Sequence, residues 1–125
     1  MKHNILITGG GSGLGKELAK QYLKKGFQVL ITDINAANGQ ETVDELSQYE
    51  DIHFEMANVT VDNDWERLTH WVDQHWQRLD VLINNAGVAS GGRFDKLPMA
   101  DLDWIIDINL KGVIRGCRAF APMMK

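Results

Sequence analysis

The chain has a single cysteine, no basic run and no long apolar stretch, and each absence closes off a class of protein. Cys117 stands alone, so neither a disulfide framework nor a cysteine-based metal set can be built. On an apolar helical face it reads as a buried thiol acting as a small hydrophobe. Lysine and arginine number 13 against 17 acidic residues, a formal charge of −4, and nowhere do they cluster. Binding of nucleic acid would need a basic stripe or patch, so that partner is not expected. No apolar run approaches the ~20 residues that span a bilayer, and no membrane partner is expected either. The opening MKHNILITGGG carries an apolar core too short for a secretory signal. A cytoplasmic enzyme or binding domain is the resulting expectation.

What is present fits one ordinary globular domain. A length of 125 residues with 44% apolar and 24% charged side chains can bury a sizeable core and is neither disordered nor fibrous in composition. Asn4 to Thr8, NILIT, is a short β-branched run stopped by glycines and reads as a buried strand. From Leu14 the period changes: Leu14, Leu18, Ala19 and Tyr22 recur at helical spacing until Gly26. Strands are then predicted at 27–32 and 52–57, and 80–87 reads as a fourth strand running into a turn, with a polar helix over 35–48 and a stronger one over 62–77, whose Trp65, Leu68, Val72 and Trp76 share a face. Residues 88–100 read as a Gly-rich loop, and a last helix begins near Asp101. Alternation of strands and helices predicts an α/β fold, a doubly wound parallel sheet in three layers, with strand order 3-2-1-4. A sheet ending at VLI leaves an apolar edge that is normally covered, so the fold is expected to be truncated after the fourth strand and following helix.

The segment TGGGSGLG, Thr8 to Gly15, comes off the first strand and opens the first helix. Glycine at 9 permits a tight turn, Gly13 lets a backbone approach a pyrophosphate, and Gly15 lets helix and strand pack closely. The helix N-terminus offers free N–H groups and partial positive charge to phosphates. Asp33 ends the second strand, 18 residues beyond Gly15, near the ~20 of dinucleotide-binding sequences. A carboxylate there can accept both ribose hydroxyls of an adenosine and repels a 2′-phosphate; a helix-capping role is the alternative.

The glycine order is G-x-x-x-G-x-G after a threonine, and NNAG, Asn84 to Gly87, follows the fourth strand. With both motifs in place the chain resembles the classical short-chain dehydrogenase/reductase family, over its whole length but over the first half of a family member only. That resemblance implies a single Rossmann-type NAD(P)-binding domain of which residues 1–125 are the N-terminal half. It implies hydride transfer between a nicotinamide cofactor and a small alcohol or carbonyl substrate. Cofactor contacts then fall on Thr8, Gly9, Ser12, Gly13, Leu14, Gly15, Asp33, Ile34, Asn58, Val59, Asn85, Ala86 and Gly87. Neither Ser12 nor Ile34 is the basic residue that NADP-preferring relatives carry, so NAD is expected over NADP. Asn58 stands where the family usually has aspartate; its carbonyl oxygen could accept from the adenine amino group, or it could simply make a turn.

On the last helix, Leu102, Ile105, Ile106, Val113, Cys117 and Phe120 fall on one side at 100° per residue, with Asn109 among them. The family resemblance implies that this asparagine disturbs the helix locally and holds a water linked to a catalytic lysine, completing an Asn-Ser-Tyr-Lys set. A side chain satisfied by a neighbouring backbone group is the alternative. The two tyrosines, Tyr22 and Tyr49, are followed four residues later by Gly26 and His53. Neither makes the Tyr-x-x-x-Lys that the reaction needs, so Ser, Tyr and Lys are expected beyond Lys125 and the 125 residues alone are expected to be inactive. A widening of the helix stripe through Leu110, Ile114 and Ala121 predicts a homodimer or homotetramer through this helix. A non-catalytic dinucleotide-binding or redox-sensing module is the alternative; a methyltransferase would leave NNAG unexplained.

Overall fold

The computed structural model describes residues 2–87, Lys96 and residues 98–124. Residues 88–95 and 97 of the predicted Gly-rich loop lie outside them. Four parallel strands, β1 (Asn4–Thr8), β2 (Gln28–Asp33), β3 (Ile52–Met56) and β4 (Val81–Ile83), form one sheet in the order β3-β2-β1-β4. Helices α1 (Gly13–Lys24), α2 (Ala36–Glu45) and α3 (Asp62–His75) make the crossovers. The order is the expected one.

Every residue of β1 is buried, because this strand has neighbours on both edges and helices on both faces. Ile5 and Ile7 point to one side and Leu6 to the other, as the period of two requires. On the first side Ile5, Ile7, Val29 and Ile31 pack with Ala19 and Leu23 of α1 and with Leu46 just after α2. On the second, Leu6 and Leu30 meet Trp65, Leu68 and Val72 of α3, and Phe120. Trp65, Leu68 and Val72 recur at i, i+3 and i+7, the spacing of one helical face, and full burial of such side chains stabilises by ~1.5–3 kcal/mol each. The edge strand β4 is only half-buried at Val81, Leu82 and Ile83.

The final helical stretch is where expectation and structure part. It starts at Met99, as α4 (Met99–Ile106), passes through a π-helical segment over Asp107–Lys111, and continues as α5 (Gly112–Met124). A π turn takes in one residue more than an α turn, so residues on either side lose the common 100° phase. Of the predicted stripe, Phe120 is buried, Leu102, Ile105 and Val113 are half-buried, and Ile106 and Cys117 are exposed. Cys117 is therefore not the buried hydrophobe expected of it; its Sγ accepts from Asn84 Nδ2 at 3.7 Å. Asn109, also expected inside, is exposed. Among the described residues no helix is long and apolar enough to cross a membrane.

Candidate functional site

The carboxyl ends of β1, β2, β3 and β4 point the same way, because parallel strands joined by crossover helices must. There the chain leaves the sheet four times, and the turns enclose a cleft of about 360 Å³. From the expected set it is lined by Gly9, Ser12, Asp33, Ile34, Asn58, Val59, Asn85, Ala86 and Gly87. Thr32, Ala57 and Ile108 line it too and were missed. Thr32 and Ala57 precede two expected residues at strand ends, where open α/β sheets bind ligands, so that rule could have found them. Nothing local signals Ile108, which the π segment delivers.

The glycine turn is held from the end of β2. Gly10 N–H donates to Thr32 O at 3.1 Å, and Gly11 N–H donates to Asp33 Oδ2 at 3.0 Å. Gly15 is buried under the turn: a Cβ there would lie 2.1 Å from Gly9 O and 2.6 Å from Asn85 Nδ2. Gly13 does the opposite. Its φ is +55°, and a Cβ would meet nothing within 4 Å, so its backbone faces open space. Ser12 is the N-cap of α1 but makes no side-chain capping bond, and the first turn holds no acidic residue. The first N–H groups of α1 are thus left to an external acceptor, with the helix dipole favouring an anion. Leu14, at the same end, is 67% exposed. Leu14, Gly13 and Gly15 are not in the cleft lining.

Thr8 is buried behind the cleft rather than in its wall. Its Oγ1 accepts from the N–H groups of Asn85 and Ala86, both at 2.9 Å. Asn85 Nδ2 in turn donates to Gly9 O at 3.2 Å. These bonds join β1 to the turn after β4 and fix the wall opposite Asp33.

Asp33 faces the cleft with both carboxylate oxygens already accepting, Oδ2 from Gly11 and Oδ1 from Asn35 N–H at 2.9 Å. It is not a helix cap; Asn35 caps α2, accepting from Asn38 N–H at 2.9 Å. A carboxylate has about four acceptor positions, so two remain. Asn58 behaves otherwise. Its Oδ1 accepts from Thr60 N–H at 2.9 Å and Thr60 Oγ1 at 2.7 Å, which engages both lone pairs. The turn role is the one the geometry gives it, and its carbonyl oxygen is not available to an adenine amino group.

Asn109 is not in the cleft lining but lies beside one of its residues, Gly87. A Cβ on Gly87 would be 3.3 Å from Asn109 Oδ1, so the asparagine sits on the backbone of the NNAG turn. The π segment beneath it is the local disturbance expected there, and such segments concentrate at functional sites. Arg115 straps it from outside, donating to Asp107 Oδ1 at 2.8 Å and pairing with Asp62 at 3.3 Å.

The family model for short chain dehydrogenase matches residues 3–125. The chain belongs to the short-chain dehydrogenase family. Family members are oxidoreductases using nicotinamide cofactors on small molecules. The chain is similar to the 3-beta-hydroxysteroid dehydrogenase of Comamonas testosteroni, 35% identical over 120 residues, covering 96% of this chain and 46% of that one. In structure it is similar to a short chain dehydrogenase/reductase of Burkholderia phymatum in complex with NAD: TM-score 0.93, 28% identity, 98% of this chain and 44% of that one. It is also similar to the RhlG/NADP complex of Pseudomonas aeruginosa, with TM-score 0.89, 27% identity, 97% of this chain and 47% of that one. This short-chain dehydrogenase chain thus spans less than half the length of each of these three relatives.

Proposed function

We propose that this chain is the coenzyme-binding portion of an NAD(H)-dependent dehydrogenase/reductase of alcohols or ketones, working in the cytoplasm, and that residues 1–125 alone do not catalyse. The observation that carries the reading is the convergence on one cleft of Asp33, the Asn85–Gly87 turn and Ser12 at a helix N-terminus with no side-chain capping bond and no acidic residue. In this arrangement the first amides of α1 hold the diphosphate, and the remaining acceptor positions of Asp33 take the ribose hydroxyls. Ser12 and Ile34 place no cation beside Asp33 to balance a 2′-phosphate, which supports NAD over NADP. When bound, the nicotinamide supplies the hydride acceptor or donor.

Asn109, at the edge of the same cleft, serves as the organiser of a proton relay whose Ser, Tyr and Lys come from outside these residues. Its position beside Gly87 and on the π segment supports that role. The exposure of Leu110 and Ile114, 56% and 46%, supports pairing of copies through this helix; sedimentation that finds only monomer of the full-length protein removes that part.

Calorimetry on the full-length protein tests the coenzyme assignment. NADH should bind more tightly than NADPH, and the absence of heat from both would overturn it. The lack of Tyr-x-x-x-Lys in this chain favours one other reading, a dinucleotide-binding module without catalysis. Reading the gene past residue 125 separates the two: a Ser followed by Tyr-x-x-x-Lys supports the enzyme, and a stop codon supports the module.

A further inference from the structure

The π segment over Asp107–Lys111 is where the last helical stretch meets the cleft. Ile108 lines it, and a Cβ on Gly87 would be 3.3 Å from Asn109 Oδ1. At the segment's end a Cβ on Gly112 would lie 2.9 Å from Val59 Cγ2, and Val59 lines the cleft too. The register is wide by one residue: Gly112 N–H donates to Asp107 O, five residues back rather than four. Such turns are rare, so a contact from outside the turn is expected to hold this one.

Arg115 makes that contact. Its Nη1 donates to Asp107 Oδ1 at 2.8 Å and to Asp107 O at 3.5 Å. Its Nε pairs with Asp62 Oδ1 at 3.3 Å, on the first residue of α3. In an uninterrupted α-helix, residues eight apart stand about 80° from each other around the axis. With one residue absorbed by the π turn they behave as if seven apart and come within about 20°. The wide register therefore brings Arg115 over Asp107, and the regular one turns it away. An interaction made in one of two states shifts the equilibrium towards that state.

We propose that Arg115 is a positioning residue: by clamping Asp107 to Asp62 it keeps Asp107–Lys111 in the π register, and with it Ile108 in the cleft wall and Asn109 on the Gly87 turn. The inference rests on the coenzyme reading of the cleft. Arg115 is not in the cleft lining and acts through the backbone of the segment. Two different nitrogens of one planar fork serve two carboxylates, which a lysine ammonium cannot reproduce in the same geometry.

The test is made on the full-length protein. Arg115→Leu should return residues 107–111 to an α turn in its crystal structure, and should bind NADH roughly two- to tenfold more weakly by calorimetry, the range that partly exposed ion pairs can supply. Asp107→Ala removes the other half of the contact and should act alike, with little further loss when the two are combined; it also serves if Arg115→Leu does not fold. Arg115→Lys should recover the affinity in part. Arg118→Leu, which takes an exposed charge from the same helix, should bind NADH as the wild type does. A π turn retained in Arg115→Leu, or NADH affinity equal to that of the wild type, would overturn the proposal. If the wild type gives no heat with NADH, the coenzyme reading falls, and the register seen in Arg115→Leu still decides whether Arg115 holds the segment.

Discussion

Replacing Gly15 by alanine sets a methyl group 2.1 Å from Gly9 O and 2.8 Å from Gly9 C, both backbone atoms that cannot swing aside. Ordinary contact begins near 3.4 Å, so α1 and the glycine turn must part by roughly 1 Å, an overpacking that typically costs ~1–3 kcal/mol. Alanine returns up to about 1 kcal/mol of helix propensity, and because both clashing atoms are backbone the upper end of the cost applies, leaving a net loss of about 2 kcal/mol. For a chain of this size that corresponds to a drop in Tm of roughly 3–6 °C per kcal/mol. The same displacement pulls Gly9 O from Asn85 Nδ2 and moves the first amides of α1, so NADH affinity should fall by about tenfold or more, one decade per ~1.4 kcal/mol. Gly26→Ala is the matched control. Its φ of +86° also penalises a side chain, by ~1–2 kcal/mol, but a Cβ there meets nothing within 4 Å and lies far along the chain from the turn. Thermal melts and NADH titrations of both variants decide the matter. Gly15→Ala with wild-type Tm and affinity, or Gly26→Ala losing affinity equally, would refute the reasoning.

Thr8→Val leaves Ala86 N–H without its acceptor, while Asn85 N–H keeps Ile83 O at 3.1 Å; at ~1–3 kcal/mol for one unpaired buried group it should cost about 1–3 kcal/mol in denaturant unfolding, and Thr8→Ser should restore most of it. Asp33→Ser removes the negative charge from the cleft, so the preference for NADH over NADPH should shrink by about tenfold, while losing the brace on Gly11 should lower Tm modestly; an unchanged preference in paired titrations would refute the role of Asp33. His53 lies against Trp71, with ring centroids 5.3 Å apart, and burial, followed by the neighbouring His75, lowers its pKa below 6.5 despite the opposing pull of Asp51. Since the unfolded state then takes up the proton first, stability should be flat above pH ~6.5 and fall as pH drops below it until the folded pKa is passed. His53→Gln should flatten Tm against pH over that range, and an equally steep profile in the variant would exclude His53 as the cause.

The strand order, the Rossmann-type layering and the glycine turn were legible in the sequence because each is local: periods of two and 3.6, glycines at a strand-to-helix junction, and short connections that leave few topologies open. NNAG and Asp33 were legible for the same reason, being strand ends with the right chemistry. Partnership was not. Thr8 serves Asn85 and Ala86 across 77 and 78 residues of chain. Asn58 gives its oxygen to Thr60, and Asp33 rather than solvent receives Gly11. The π segment displaced Asn109 and Cys117 from the face that a uniform helical wheel assigned them. Ile108 reached the cleft through that same extra residue. The sequence determined which elements form and in what order, since propensity and period act over a few residues. Only the tertiary structure decided which polar atoms meet, since a hydrogen bond depends on ångström distances between strand ends that the chain itself holds far apart.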